Sequence, residues 1–312
     1  MKTNHKEYTI KSTSGKSKAS FSSTKLIRLI LNDVEIISEE NDIDYLLSGS
    51  YLCFPWVGRI TSDDKIKELT NEEKIDYPFR EQNNFPLHGL YAQVERKLTK
   101  ESSTSNSMTF TEASHKSEDW PIFFEEYKIT DNFLEVKTFF KNPNENKSLY
   151  FAYGYHPYIG INRKNINNLI LNSNVQYHCE LNSKVVPELN ENKKLKMTNM
   201  QANSEFNLLR RKIDSICLDD LFFYDESFSK ENPFVELTDQ EDKISVIVES
   251  DRNNSIPLNY FQLYTPERRN CVAIEPLSSP SNAFNIDFPN YLVELKPKEK
   301  KEGTFKIILK NL

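Results

Sequence analysis

The chain has 312 residues, of which 38% are hydrophobic and 28% charged, and 40 Lys and Arg residues against 46 Asp and Glu residues leave a net charge of −6. This composition excludes a disordered polyelectrolyte, and the negative charge argues against a protein that binds nucleic acid through a general positive field. No run approaches the roughly 20 apolar residues of a transmembrane helix, and residues 1–20 lack the apolar core of a secretory signal, so we expect a cytoplasmic protein with no membrane and no nucleic-acid partner.

Segments rich in β-branched and aromatic residues recur along the chain, and clusters of Asn, Asp, Ser and Lys separate them. The segments most typical of strands are, in chain order, Lys25–Leu31, Phe133–Phe140, Lys243–Glu249, Leu258–Tyr264 and Phe305–Leu309. A short charged helix is predicted over Asp63–Glu73, before Pro78. The pattern predicts an all-β protein, and because no break in composition marks a linker, we expect residues 1–312 to form a single domain.

The strand predicted over Phe133–Phe140 shows which side chains the core should receive. Leu134, Val136, Thr138 and Phe140 alternate with the residues of the other face. Successive side chains of a strand point to opposite faces, so we expect these four to face the core.

The four cysteines, Cys53, Cys179, Cys217 and Cys271, are scattered and show no CxxC spacing. The spacing indicates neither a zinc site nor a disulfide framework. We therefore expect small buried thiols and no bound metal.

The five histidines have different surroundings. His5 and His115 lie in polar segments and should face solvent, while His178 is predicted on a strand, where its role stays open between a structural one and others. His88 in FPLHGLY and His156 in YGYHPYIG lie among apolar and aromatic residues. An imidazole that is held rigidly and titrates near neutral pH can donate or accept a proton during catalysis. Both are therefore candidates for acid and base chemistry, although composition alone favours a core histidine bonded to the backbone for either one.

Three other segments place charged residues beside apolar ones. Glu275 follows an apolar strand and precedes Pro276, where desolvation would raise the pKa of its carboxyl and make it a better base; the alternative is a surface Glu. Arg59 follows Gly58 and could bind a polar ligand through its planar guanidinium, or form a surface salt bridge.

The segment CLDDLFFYDE contains the third case. Asp219 and Asp220 are neighbours on a predicted strand, so their side chains face opposite ways and at most one points inward. An inward carboxylate needs a hydrogen-bond donor, and sugar hydroxyls are suitable donors.

Taken in chain order, the segments FPWVGRI, FPLHGLY, YGYHPYIG, LDDLF and YTPERRNCVAIEPLSSPSNAFN resemble the aldose 1-epimerase (galactose mutarotase) family, from about Pro55 to Asn285. The resemblance implies an all-β fold, the galactose-mutarotase-like antiparallel β-supersandwich, with a sugar site on a concave face. It also implies an enzyme that interconverts the α and β anomers of a hexose such as glucose or galactose by opening and closing the ring.

The resemblance further implies a role for each candidate residue. His156 corresponds to the general acid that protonates the ring oxygen, and Glu275 to the general base that accepts the proton of the anomeric hydroxyl. His88 helps to position the ring oxygen, while Arg59 and Asp219 bind hydroxyl groups. The expected partner is a monosaccharide, and no cofactor or metal is implied.

Two details of the motifs stay open. Gly58 stands where the family usually has Asn, so one ligand contact is missing or supplied elsewhere. The register of LDDLF does not separate Asp219 from Asp220. The preferred aldose and the oligomeric state are not predicted.

Three different functions also stay open. A hexose-6-phosphate mutarotase would need cations such as Arg59, Arg80 and Arg96 to bind the phosphate. A non-catalytic carbohydrate-binding β-sandwich would need no acid and base pair. A glycoside hydrolase would need two carboxylic groups beside the scissile bond, whereas the motifs here combine one Glu with histidines.

Overall fold

A computed structural model describes residues 7–38, 45–71, 73–80, 84–101, 106–112, 118–200 and 206–312. These residues form antiparallel strands, one α-helix and three single 3₁₀ turns at Tyr45–Leu47, Ile166–Asn168 and Ala283–Asn285. His5 and His115, which we expected to face solvent, lie outside the described residues.

The strands are numbered in chain order. They are β1 (Tyr8–Lys11), β2 (Lys18–Phe21), β3 (Leu26–Leu31), β4 (Val34–Ile37), β5 (Leu52–Cys53), β6 (Arg96–Glu101), β7 (Ser107–Glu112), β8 (Ile122–Ile129), β9 (Phe133–Lys141), β10 (Leu149–Phe151), β11 (Gly154–Tyr155), β12 (Tyr158–Ile159), β13 (Ile170–Ser173), β14 (Tyr177–Cys179), β15 (Met197–Asn199), β16 (Arg211–Lys212), β17 (Asp219–Phe223), β18 (Phe234–Asp239), β19 (Ile244–Ser250), β20 (Tyr260–Tyr264), β21 (Val272–Leu277), β22 (Val293–Leu295) and β23 (Lys300–Asn311).

Two large sheets contain most of these strands. One has nine strands in the order β16-β13-β18-β19-β23-β9-β8-β7-β6, and the other has eight, with β15-β14-β17-β20-β21-β11-β5 in line and β12 paired to β21. Smaller sheets are formed by β1 to β4 and by β10 with β22. The all-β supersandwich expected from the sequence is therefore confirmed.

The inner faces of the two large sheets meet in an aromatic core. The ring centroids of Tyr155 on β11 and Phe305 on β23 are 5.0 Å apart. Along β9 the side chains of Leu134, Val136, Thr138 and Phe140 are buried while their neighbours are partly exposed, as predicted. Burial of one face of each sheet is the main stabilising contribution of such a core.

The remaining predicted elements are confirmed with small shifts. Four predicted strands correspond to β3, β9, β19 and β20 within one or two residues at their ends, while the last is the middle of the long strand β23. The predicted helix is α1 (Asp64–Thr70), and it ends at Asn71 in the left-handed conformation rather than at Pro78, because Asn tolerates that backbone geometry. Among the described helices, none has the length and apolar character needed to cross a membrane.

The cysteine prediction is partly wrong. All four are free, and Cys53, Cys179 and Cys271 are buried, but Cys217 is exposed. Cys217 lies in the loop that leads into β17, and connecting segments run over the surface. No group of three or more His, Cys, Asp or Glu side chains within the described ranges is placed to hold a metal ion.

Candidate active site

A cavity of about 500 Å³ opens on the eight-stranded sheet, and all five predicted site residues line it. These are His88, His156 and Glu275, with Arg59 and Asp219. Alternation along β21 explains why Glu275 is there: Ile274 packs in the core, so the next side chain faces the cavity. The other lining residues include Tyr51, Tyr158, Gln262, Ser281, Arg80 and Lys184.

The imidazole of His156 is clamped between two tyrosine rings. His156 lies in the link between β11 and β12, and its ring centroid is 5.0 Å from that of Tyr51 and 4.8 Å from that of Tyr158. The hydroxyls of both tyrosines donate to the same carbonyl oxygen, that of Leu46, at 3.2 Å and 2.9 Å. Aromatic contacts on two sides leave the imidazole little freedom to rotate.

His156 and Glu275 form a buried acid and base pair. Nε2 of His156 lies 3.2 Å from Oε1 of Glu275, and the two side chains are 5% and 3% exposed. Burial, helped by the positive charge of Arg59, lowers the pKa of His156 to about 3. Burial and the negative charge of Asp219 raise the pKa of Glu275 well above its usual value, and Arg59 opposes this only in part.

Both shifts favour the neutral forms, a neutral imidazole beside a neutral carboxyl. The ion pair of imidazolium and carboxylate contains the same number of protons, so the two forms differ only in which partner holds one proton. Nδ1 of His156, by contrast, is buried without a hydrogen-bond partner among the described residues. A proton can therefore move between Oε1 of Glu275 and Nε2 of His156, the two atoms in contact.

His88 lies beside His156 with its ring nearly perpendicular. The two ring centroids are 5.0 Å apart with an interplanar angle of 89°. The backbone of His88 is left-handed, with φ at 55°, and its N–H donates to the carbonyl of Gly58 at 2.9 Å. Burial, then His156, then Arg59 lower the pKa of His88, so its imidazole is neutral.

The other partner of His88 is a buried thiol. Nδ1 of His88 is 3.4 Å from Sγ of Cys53, and burial together with Glu275 raises the pKa of that thiol. A protonated thiol can donate to Nδ1, which leaves Nε2 of His88 as the nitrogen available to a ligand.

Asp219 is held by two donors at the wall of the cavity. Nη2 of Arg59 is 3.0 Å from Oδ2, and Nε2 of Gln262 donates to Oδ1 at 2.7 Å. Gln262 on β20 lies opposite Glu275 on β21, so strand register brings the amide and the carboxylates into one cavity. Asp220 lies outside the cavity lining, where Oδ1 is 3.0 Å from Nε2 of His178. The structure thus places Asp219, and not Asp220, at the cavity. The contact of His178 with Asp220 is a structural one.

The three arginines considered for a phosphate have different positions. Arg59 lies inside the cavity, Arg80 lines it, and Arg96 does not reach it. Arg96 is buried with Nη1 at 2.6 Å from Oε2 of Glu125. Its inclusion among the candidate ligands of an anionic sugar is therefore wrong, because its charge is already neutralised inside the protein.

Sequence reasoning missed Tyr51, Tyr158, Gln262 and Ser281 as cavity residues. Gln262 offered the clearest signal, since it is the single amide within the otherwise aromatic and aliphatic run YFQLY of β20. Tyr158 also had a local signal, because it lies within YGYHPYIG two residues after His156. Tyr51 and Ser281 depend on which segments meet in three dimensions, and local patterns do not encode that.

Comparison with known proteins identifies what the whole chain is similar to. The family model described as aldose 1-epimerase matches residues 9–307. The chain is similar in structure to a galactose mutarotase-like protein from Clostridium acetobutylicum, with a TM-score of 0.73, 16% identity and 99% of each chain covered. It is also similar to an aldose epimerase homologue from C. elegans, with a TM-score of 0.73, 13% identity and 99% of each chain covered. No curated protein matches the sequence.

Proposed function

Since the chain belongs to the aldose 1-epimerase family, we propose that it is an isomerase that interconverts the α and β anomers of a free hexose such as glucose or galactose. The observation that carries this proposal is the 3.2 Å contact between His156 and Glu275 within a cavity of about 500 Å³. Ring opening of a hemiacetal needs an acid and a base, because the anomeric hydroxyl loses a proton while the ring oxygen gains one. The proposed reaction requires neither a metal nor a cofactor, and we propose the cytoplasm as the location of the enzyme.

The neutral pair holds the proton that the reaction uses. Transfer of this proton from Glu275 to Nε2 of His156 creates a carboxylate and an imidazolium. The carboxylate takes the proton of the anomeric hydroxyl, the imidazolium protonates the ring oxygen, and the bond between C1 and the ring oxygen breaks to leave an aldehyde. Glu275 and His156 are then neutral again, so no proton has to come from solvent.

The contact between acid and base suits the substrate. The anomeric oxygen and the ring oxygen are bonded to the same carbon, so two groups in contact can reach both. Rotation about the bond between C1 and C2 presents the other face of the aldehyde, and the reverse transfers close the ring as the other anomer. His88 lies next to His156, which supports a role for it in positioning the ring oxygen.

The remaining polar residues provide binding. Arg59 and Gln262 hold the carboxylate of Asp219 in place, and a held carboxylate is a strong acceptor for sugar hydroxyls. Such polar groups around a partly apolar cavity fix the orientation of a small ligand. We assign Arg59 and Asp219 to hydroxyl binding on this basis.

Polarimetry of freshly dissolved α-D-glucose and α-D-galactose tests the proposal. The wild type should speed the approach to equilibrium over the spontaneous rate, and His156→Asn should lose about 10² to 10⁴ of that acceleration. His178→Asn is the matched control, since His178 is equally buried but bonds Asp220 outside the cavity. The proposal is wrong if the folded wild type leaves the spontaneous rate unchanged, and release of nitrophenol from a nitrophenyl glycoside would indicate a hydrolase instead.

A second candidate is a mutarotase of hexose 6-phosphates, favoured by two cations at the mouth of the cavity. Arg80 and Lys184 come from separate loops, are exposed, and both line the cavity. Cationic side chains are what a phosphate monoester requires. If this candidate is right, wild type should act better on glucose 6-phosphate than on glucose, and Arg80→Gln with Lys184→Gln should abolish that preference.

A further inference from the structure

Ser281 contributes an unused hydroxyl to the cavity wall. The residue lines the cavity and is only 6% exposed. Among the described residues, its hydroxyl has no hydrogen-bond partner, whereas the two serines just before it do: Oγ of Ser278 accepts from the backbone N–H of Tyr153 at 2.9 Å and lies 3.3 Å from Oγ of Ser279. Because Ser281 lines the cavity, its hydroxyl can donate to or accept from a molecule bound there.

Close approach between Gly58 and Ser281 fixes where that hydroxyl lies. Gly58 has φ at 58°, and a Cβ added to it would be 2.6 Å from Cβ of Ser281. The absence of a side chain at Gly58 therefore provides the space that the side chain of Ser281 fills. The neighbouring backbone is tied down as well, since the N–H of Asn282 donates to the carbonyl of Arg59 at 2.8 Å. Ser281 is thus held beside Arg59, on a rigid part of the wall.

We propose that Ser281 is a substrate-binding and specificity-determining residue, whose hydroxyl bonds one hydroxyl of the sugar on the Arg59 side of the cavity. The inference rests on the proposed function, because it takes a sugar as the ligand. A sugar with a hydroxyl at that position forms a hydrogen bond with Ser281, and a sugar that lacks the hydroxyl cannot form it. Discrimination between sugars follows from that difference.

Kinetics with a series of monodeoxy analogues tests this assignment. The variants are Ser281→Ala and, as the control, Ser279→Ala, which changes a fully buried serine two residues away that does not line the cavity. Ser281→Ala should lower kcat/KM for the preferred hexose by about three- to tenfold, the worth of one neutral hydrogen bond. For one analogue, which lacks the hydroxyl that Ser281 binds, wild type and Ser281→Ala should have equal kcat/KM. The inference would be overturned if Ser281→Ala lowered kcat/KM by the same factor for every analogue, or if it did not lower kcat/KM for the preferred hexose.

Equilibrium binding separates this inference from the proposed function. The affinity of wild type, Ser281→Ala and Ser279→Ala for D-galactose and D-glucose is measured by calorimetry, which needs no turnover. Binding that weakens only in Ser281→Ala, in a protein that does not speed mutarotation, would contradict the proposed function and support the role of Ser281. Binding of equal strength in all three proteins, or no binding in any, would overturn the role of Ser281.

Discussion

Buried polar groups gather in two places, and the two clusters differ in how far their hydrogen bonds are satisfied. On the nine-stranded sheet, Oε1 and Oε2 of Glu125 accept from Arg96, and Oε1 also accepts from the hydroxyls of Tyr127 at 2.9 Å and Tyr155 at 2.7 Å. The hydroxyl of Tyr155 is in turn 2.8 Å from Oγ1 of Thr138. In the cavity, the contact of Glu275 is with His156 at 3.2 Å, and both are shifted toward their neutral forms.

The difference separates a stabilising cluster from a reactive one. Glu125 accepts hydrogen bonds from side chains on β6 and β11 as well as from Tyr127 on its own strand, so it serves to hold strands together. A carboxyl with one weak partner and a raised pKa can change its protonation state at little cost, which is the condition for acid and base catalysis. Burial of a carboxyl group therefore does not by itself indicate a catalytic role. The number of its hydrogen-bonding positions that remain without a partner distinguishes the catalytic group from the structural one.

The largest expected effect is on activity, from Glu275→Gln. Loss of the base should reduce the acceleration of mutarotation by about 10² to 10⁴. The same change should stabilise the protein at neutral pH, because the unfolded chain releases the Glu275 proton near the usual pKa of 4.5 while the folded chain keeps it to higher pH. The cost of burying Glu275 therefore grows as pH rises above that value, and Gln avoids it. Polarimetry and urea unfolding at pH 5 and pH 7 measure both effects, and a variant less stable than wild type at pH 7 would contradict the comparison.

The corresponding change in the satisfied cluster, Glu125→Gln, should act in the opposite way. It leaves the buried guanidinium of Arg96 without its counter-charge, which should lower the free energy of unfolding by about 3 to 5 kcal/mol. Activity per folded molecule should remain within a few-fold of wild type. Urea unfolding gives the stability, with Glu126→Gln on the opposite face of β8 as the control expected within about 0.5 kcal/mol of wild type. A loss of activity in the folded fraction comparable to that of Glu275→Gln would remove the distinction between the clusters.

A smaller effect, on the pH dependence, is expected from Asp219→Asn. The negative charge of Asp219 helps to raise the pKa of Glu275, so its removal should lower that pKa. Activity falls when Glu275 loses its proton while His156 is neutral, so the alkaline limb of the kcat/KM profile should move to lower pH. Asp220→Asn is the matched control, since that carboxylate bonds His178, and it should leave the limb in place. Equal shifts in both variants would indicate a general effect of charge instead.

The smallest effect is expected from Tyr158→Phe. The variant keeps the ring against His156 but loses the hydrogen bond from its hydroxyl to the Leu46 carbonyl at 2.9 Å. One neutral hydrogen bond is worth about 1 kcal/mol, so kcat should fall by no more than about fivefold. Tyr153→Phe provides the control, because the Tyr153 hydroxyl is buried without a partner among the described residues. A fall of a hundredfold or more would mean that the Tyr158 hydroxyl itself takes part in the chemistry.

The sequence was sufficient for residues whose chemistry conflicts with their neighbours. His88, His156 and Glu275 stand in apolar contexts, and the structure places all three in one cavity. The sequence was not sufficient where the surroundings of a side chain depend on pairing between distant strands. Alternation states that Asp219 and Asp220 face opposite ways, but only the arrangement of β17, β14 and β20 decides which one meets Arg59.

Long-range pairing also explains two of the errors of detail. Arg96 resembles any other basic residue near the first motifs, and its burial follows from Glu125 on another strand of the same sheet. Ser281 has no local signature, because its position depends on the close approach of Gly58 from a loop more than two hundred residues earlier. Contacts of this kind are set by tertiary structure rather than by propensity.

The position of β23 has a consequence for how the chain folds. This strand is the last described element in chain order, yet it lies in the middle of the nine-stranded sheet, between β19 and β9. Without it, β16-β13-β18-β19 and β9-β8-β7-β6 are two separate four-stranded sheets, and β19 and β9 become unpaired edges. Those two edges stay unpaired until β23 inserts between them, and unpaired edges are sites of aggregation. Closure of the sheet therefore depends on pairing between residues far apart in the chain, which is intrinsically slow.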